Sequence, residues 1–270
     1  MTVENFAADA KPRSCPLCGH SKHELLFWRS GWDVVRCAGC RMVFLGHELD
    51  YGAQARDHDW VEEWEQEVLR RKRKEPVWVF LSRCTRPFRG GAHDRMLAQT
   101  LRRKRAGKLA DLGCGEGLFL ERAANYFDVT GVELSPRAAE AARHRVGSAH
   151  IIEGPVTEVT GHVLPEHAFD VVTLFGYLEH EWRPREGLRA ARRILKPGGT
   201  LLIKVPNYAS WNRTLRGRNW CGYHIPAHCN YFTPETLSRM LRETGFEPSP
   251  RRLLDRLPTS DSLWMAARRS

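Results

Sequence analysis

Long hydrophobic runs are missing from this sequence. No stretch approaches the ~20 uninterrupted apolar residues of a membrane-spanning helix, and the N-terminal residues hold no apolar core of a secretory leader. Both absences point to a cytoplasmic protein without a membrane partner. Acidic residues are outnumbered: 32 Asp and Glu stand against 42 Lys and Arg, a formal charge of +10. Such an excess raises RNA or DNA as a partner, but much of it is spread over helices and the C-terminal tail, and a small-molecule partner is preferred. Cysteine is not scarce. Of the eight, four sit in metal-ligand spacing and one lies inside a glycine loop, which favours a reducing compartment over a disulfide framework. With 270 residues, 42% hydrophobic and 27% charged, the chain is long enough for one full α/β core plus a small extra module.

What is present centres on Lys108 to Gly117, Lys-Leu-Ala-Asp-Leu-Gly-Cys-Gly-Glu-Gly. An apolar run ends in Asp111, glycines follow at 113, 115 and 117, and an amphipathic run begins at Leu118, so a strand, a tight turn and a helix start are predicted. Glycines lack the Cβ that keeps a ligand off the backbone and accept positive φ, so main-chain N–H groups at the helix start can reach a cofactor. About twenty residues on, Asp128 to Glu133 reads as a second strand ending in a carboxylate, where α/β nucleotide sites place an acceptor for ribose hydroxyls.

At these residues the chain resembles the class I S-adenosylmethionine-dependent methyltransferases. The loop has their form acid-x-Gly-x-Gly-x-Gly and does not fit the dinucleotide fingerprint Gly-x-Gly-x-x-Gly. The resemblance covers about Lys108 to Arg268. It implies an α/β, Rossmann-like seven-stranded sheet with a reversed last strand, S-adenosylmethionine as cofactor, and Asp111, Gly113, Gly115, Gly117, Glu133, Leu134 and Phe175 as its contacts. One departure stands out: after the strand His150 to Glu153, Gly154 is followed by Pro155 and Val156 rather than an acid or amide. Adenine recognition then falls to backbone and apolar contacts, or to Glu158.

Two Cys-x-x-Cys pairs, Cys15/Cys18 and Cys37/Cys40, are spaced to hold one tetrahedral zinc ion. Leu25 to Trp28 and Trp32 to Arg36 read as the strands of a hairpin returning the second pair to the first. With four thiolates no coordination position stays open, so a folding staple is favoured over catalytic zinc or a redox dithiol, and His20 and His23 are unnecessary as ligands. Three units are expected: a zinc ribbon over residues 1–50, a helical connector and cap over 51–106, and the methyltransferase domain over 107–270. In the connector a helix is predicted from Asp59, its apolar face carrying Trp60, Trp64 and Val68, with early Glu and late Arg70 to Lys74 complementing the helix dipole. Trp60, Trp64, Trp78 and Phe80 suit a pocket cap or ordinary packing, and a further helix is expected around His93 to Arg105.

Phe169 to Phe175 reads as a buried central strand, and Leu178-Glu179-His180 follows at its C-terminal end, where doubly wound sheets gather ligands. His180 can serve as base, pocket wall or packing. Pro136 to Val146 and Glu186 to Leu195 are predicted helices, Lys196 to Gly199 a turn, Thr200 to Val205 a strand. A helix begins after Thr233 and ends at Gly245, with last strands at Pro248 to Leu254 and Leu263 to Arg268. Residues 206–232 lack regular pattern; a loop that long is usually functional. It holds Trp211, Trp220, Cys221, Tyr223, His224, His228, Cys229, Asn230 and Tyr231, the aromatics and hydrogen-bonders of an acceptor pocket. In methyltransferases of similar pattern a histidine shortly before a Phe-Thr-Pro helix start lies near the acceptor, which makes His228 the first candidate base, with His180 and His224 beside it. Cys221, His224, His228 and Cys229 form no common metal spacing. Methyl transfer to a hydroxyl of a small molecule or glycan precursor is the expected reaction; RNA base methylation, held by ribbon and basic surface, is the alternative, though no Asn-Pro-Pro-Tyr-like motif is present.

Overall fold

The computed structural model describes residues 11–48, 91–147, 150–250 and 259–270. Its N-terminal part is the expected ribbon: β1 (Lys11–Pro12), β2 (His23–Arg29), β3 (Trp32–Cys37), β4 (Val43–Leu45) and β5 (His47–Glu48). The β2–β3 hairpin turns at Ser30 and Gly31, both at positive φ. The helix predicted from Asp59, its four aromatics and the run Arg70 to Lys74 lie outside the described residues. Of the connector, α1 (Ala92–Leu101) is seen, ending earlier than expected: Arg102 is its C-cap, and the N–H groups of Arg103 and Lys104 both close on the Thr100 carbonyl, tightening the last turn.

The remaining elements alternate as an α/β sheet requires: β6 (Gly107–Leu112), α2 (Leu118–Ala123), β7 (Phe127–Glu133), α3 (Pro136–Val146), β8 (His150–Glu153), α4 (Val156–His162), β9 (Phe169–Phe175), α5 (Pro184–Ile194), β10 (Leu195–Pro206), α6 (Trp211–Arg216), β11 (Asn230–Tyr231), α7 (Pro234–Glu243), β12 (Phe246–Pro248) and β13 (Ser262–Arg269). Leu109, Leu112, Val171, Val172 and Leu174 are buried because β6 and β9 are covered on both faces by helices. The seven-stranded sheet has the order β12-β13-β10-β9-β6-β7-β8, and β13 runs antiparallel to β10. The Rossmann-like expectation with a reversed last strand therefore holds. Ser135 caps α3 by accepting from the Ala138 N–H, and Thr233 does the same for α7 with Thr236.

Two boundaries differ from expectation. Leu195 already pairs with Phe169, and pairing resumes at Thr200 with Val171, so Lys196 to Gly199 is a bulge inside one long strand rather than a turn before it. A Cβ on Gly199 would sit 2.8 Å from Leu195 Cγ and from the Lys196 carbonyl, which is why glycine closes that bulge. β12 starts at Phe246, ahead of the expected Pro248, since Gly245 at φ +82° turns the chain directly out of α7.

The ribbon is not a separate bead. β11, from the catalytic domain, pairs with β4 and gives the ribbon sheet its fourth strand, in the order β11-β4-β3-β2. One apolar cluster joins Leu17, Val35, Met42 and Phe44 of the ribbon to Leu174, Leu178, Phe232 and Leu237 of the sheet and its helices. Arg13, itself buried, crosses the boundary to donate to the carbonyls of Cys229 and Trp182 and to Asn230 Oδ1. Buried Asn230 in turn donates to the carbonyls of Leu178 and Glu181, at 2.8 and 2.7 Å.

Candidate functional site

At the carboxyl end of β6 the chain turns through Gly113, Gly115 and Gly117 with φ of +79°, +55° and +77°, values that side chains strain to adopt. A Cβ on Gly113 would lie 2.9 Å from the Tyr177 ring, and one on Gly117 3.1 Å from Ala142 Cα, so these two glycines admit neighbours of the protein itself. Around a Cβ on Gly115 no atom lies within 4 Å: this is the glycine that exposes backbone to open space. The loop N–H groups differ from expectation. Those of Gly113 and Cys114 donate to the Val132 carbonyl, and that of Gly115 donates to Glu133 Oε2 at 2.8 Å. They shape the loop and hold Glu133.

Glu133 ends β7 and accepts a second backbone N–H, from Ser135, on its other oxygen. Burial raises its pKa while the Ser135 and Gly115 N–H groups oppose the rise. Each oxygen keeps a further lone pair, so the carboxylate fits two ribose hydroxyls. Asp111 is fully inside, its Oδ1 taking the Thr173 hydroxyl at 2.6 Å across from β9. Burial pushes its carboxyl up to about 7, with the Thr173 hydrogen bond opposing and Glu133 adding to the shift. Asp111 thus ties β6 to β9 beneath the loop. Leu134 is half-buried beside Glu133, and Phe175 packs edge-on between Phe119 and Trp264 with ring centroids 5.1 and 5.7 Å away. Pro155 caps α4, and Glu158 is exposed in its first turn. The open space at Gly115 beside a preset carboxylate fits S-adenosylmethionine.

The three histidines converge. The His180 and His228 rings lie 4.7 Å apart at 81°, and His224 and His228 5.3 Å apart at 77°. His180 Nδ1 is 2.9 Å from the Ala227 carbonyl and His228 Nδ1 2.9 Å from the Gly222 carbonyl. A carbonyl only accepts, so in both rings Nδ1 carries a proton and donates it. Glu179, which the sequence placed beside His180 without a role, is buried in the same cluster, and burial pushes its carboxyl up to about 7, partly offset by the Lys204 ammonium.

Much of the aromatic loop does something else. Trp220, Tyr223 and Tyr231 are buried against Phe27, Trp32 and Val34 of the ribbon hairpin, and Trp211 is exposed, so these four are packing and surface rather than the acceptor-pocket lining expected from the sequence. Cys229 is buried beneath Arg13, and His228 gathers with Glu179 and His180 instead of with Cys221 and Cys229. Asp261 was invisible in the sequence. It accepts from Ser210, Asn212 and Trp220, tying residues 206–232, the strap between β10 and α7, to the start of β13.

In the ribbon, Cys15, Cys18, Cys37 and Cys40 bring their sulfurs within 4.8 Å of one another, with Cys15–Cys40 at 3.4 Å and Cys18–Cys37 at 3.5 Å. Those separations exceed the ~2.05 Å of a disulfide and approach the ~3.8 Å between thiolates sharing a tetrahedral zinc at ~2.3 Å. The four residues fit that ion.

Comparison with known proteins bears on this geometry. A family model described as "Methyltransferase domain" matches residues 88–249. Two ubiquinone biosynthesis O-methyltransferases, from two strains of Cereibacter sphaeroides, are similar. One is 31% identical over 153 residues, 54% of this chain and 62% of that protein. The other is 30% identical over 169 residues, 60% and 68% respectively. The chain thus spans less than two thirds of the first relative's length and just over two thirds of the second's. The crystal structure of a SAM-dependent methyltransferase from Thermotoga maritima, described as a possible histamine N-methyltransferase, superposes with a TM-score of 0.54 at 20% identity. It covers 77% of this chain and 99% of that one. At that identity the likeness speaks to the fold alone.

Proposed function

From the premise that the chain belongs to the methyltransferase-domain family and is an S-adenosylmethionine-dependent methyltransferase, we propose that its acceptor is a hydroxyl group of a small molecule. The observation that carries this is the cluster of His180 and His228, each fixed with its proton on Nδ1, at the carboxyl end of β9. A hydroxyl must lose a proton as it attacks, and an imidazole beside the acceptor is a base suited to take it. The name carried by the Cereibacter relatives, O-methyltransferase, agrees with that chemistry.

When bound, S-adenosylmethionine supplies an activated methyl carbon on a sulfonium. The protein's task is alignment and exclusion of water. Glu133 holds the ribose hydroxyls, Gly115 lets the ligand approach the main chain, and Leu134 and Phe175 bound it from the sides. Asp111, Gly113 and Gly117 act one step back, keeping the loop on β6, β9 and α3. Tyr177, packed over Gly113, links this loop to Glu179 and His180 two and three residues later. His228 takes the hydroxyl proton, with His180 and His224 around it.

Cys15, Cys18, Cys37 and Cys40 hold a structural zinc ion that locks the two knuckles together. The ribbon then buttresses the segment carrying His224 and His228 through β11 and the Trp220 cluster, so the described ribbon, residues 11–48, and the described part of the methyltransferase domain act as one body. Among the described residues no helix is long and apolar enough to cross a membrane.

Transfer of labelled methyl from S-adenosylmethionine into a cell extract, separated into RNA, protein and small-molecule fractions, tests the assignment. Label in the small-molecule fraction is expected, glycan precursors among the compounds to identify. Label in RNA would overturn it in favour of base methylation and make Arg70 to Lys74 the surface to mutate.

A further inference from the structure

Among the described residues six large apolar side chains are exposed, and two of them, Leu25 at 58% and Trp28 at 64%, stand on β2. β2 is the outermost strand of the ribbon sheet, and among the described residues no further strand pairs with its outer edge. Its pairing with β3 slips at Leu26: Leu25 lies opposite Val35 and Phe27 opposite Val34, so Leu26 is the extra residue of a bulge. Leu26 and Phe27 both pack into the cluster of Trp32, Val34, Trp220 and Tyr223. Glu24 and Arg29 belong to that same face, opposite Arg36 and Trp32 of β3. Leu25 and Trp28, opposite Val35 and Asp33, share the other face. Followed from Glu24 to Arg29 or from Arg29 back to Glu24, the strand therefore shows its two faces in the same order.

A bulge ordinarily spoils an edge for pairing, because the side chains of an incoming strand fall out of step with it. A second, antiparallel β2 carries the same slip at the same place. Set bulge against bulge, Glu24 of each copy meets Arg29 of the other and Leu25 meets Trp28, and every pair lies on one face. A shift of one residue would set Leu25 or Trp28 against residues of the opposite face. The matched register joins opposite charges at both ends and gives each exposed apolar side chain a cross-strand partner. We propose that the outer edge of β2 is a docking surface for a second copy of this chain, antiparallel about a twofold axis through the bulge, with Glu24 against Arg29 and Leu25 against Trp28. The pairing is isologous, uses the open β2 edge of each copy and closes at two. It joins two four-stranded ribbon sheets into one continuous sheet with a β11 at either end. Asn230 of β11 follows His228 by two residues, so the contact falls at the edge of the ribbon away from the histidine cluster.

The test is sedimentation of the purified full-length protein, together with a photo-cross-linking amino acid placed at position 28. A doubled mass is expected at protein concentrations of ~10–100 μM. On a mixture of ordinary and isotope-labelled protein, mass spectrometry should find position 28 of one copy joined to Leu25 of another. Trp28→Lys should weaken association at least ~10-fold. Glu24→Arg and Arg29→Glu should each weaken it, and the double variant, in which both pairs re-form with their signs exchanged, should recover it. A role of these two residues within one chain would give no such recovery. Each variant should keep its zinc content and bind S-adenosylhomocysteine within ~2-fold of the unaltered protein, which shows that it is folded. A monomer throughout that range, a dimer that none of these substitutions weakens, or cross-links that fall outside β2 would overturn the interface, and a double variant that stays as weak as the single ones would overturn the register.

Discussion

The glycine loop and the histidine strap flank one end of the same sheet, and they are built by opposite means. The loop is local: Asp111 through Glu133 is one strand-turn-helix-strand unit, held by Gly115 to Glu133 and Gly113 to Val132, with Asp111 to Thr173 its one tie to β9 among these bonds. The strap draws its geometry from far away. His228 is positioned by the Gly222 carbonyl, Gly222 by the Trp220 ring that a Cβ there would strike at 2.2 Å, and Trp220 by the ribbon hairpin and by Asp261. A cofactor site of fixed chemistry can be encoded within one supersecondary unit. The histidine cluster is assembled from three distant segments.

If that contrast is right, breaking the strap's support should cost most. Trp220→Ala removes a buried indole and its hydrogen bond to Asp261, and it should destabilise the protein by about 3–5 kcal/mol, measured by denaturant unfolding. A single cooperative transition is expected; separate melting of the ribbon would show that the two regions are not one body. Glu133→Ala strikes the local half instead. It should weaken S-adenosylhomocysteine binding by about 1.5–3 kcal/mol, the worth of a hydrogen bond to a charged acceptor, with a much smaller change in unfolding. An unchanged affinity by calorimetry would move the ribose site elsewhere.

Asp111 sharpens the comparison through pH. Its carboxyl, raised by burial from 3.8 to about 7, is protonated in the fold at pH values where the unfolded chain has already ionised. The folded state binds more protons between those values, so the contribution of Asp111 to stability is complete below pH ~4 and is lost as pH rises towards 7. Asp111→Asn should flatten part of the fall in stability between pH ~4 and ~7; an identical slope in the variant would mean that Asp111 ionises normally. The smallest effect belongs to Trp211. Its ring is 57% exposed on α6, and Trp211→Ala should change stability by less than ~0.5 kcal/mol. A loss comparable to that of Trp220→Ala would place Trp211 in a contact beyond the described residues.

Legibility in the sequence follows the same division. Ser135 with Pro136, Thr233 with Pro234 and Gly245 mark helix ends through interactions within a few residues, and α3 and α7 begin where those signals stand. The four-cysteine spacing and the hairpin around Ser30 and Gly31 were readable for the same reason. Trp220, Tyr223 and Tyr231 misled because an aromatic loop residue looks the same in sequence whether it faces a ligand or a neighbouring sheet. Glu179 escaped because a carboxylate after a strand carries no sign of burial until His228 and Asn230 are folded over it.

By itself, then, the sequence determined the Rossmann-like sheet, the glycine loop with Glu133 and the cysteine knuckles, each specified by turn chemistry, periodicity and ligand spacing over short separations. Only the tertiary structure decided that β11 completes the ribbon sheet, that Arg13 and Asn230 bind the two parts together, and that Glu179, His180 and His228 meet in one cluster. Those contacts join residues up to 217 positions apart, and such pairings are selected by burial and hydrogen-bond satisfaction over the whole fold, which no local pattern records.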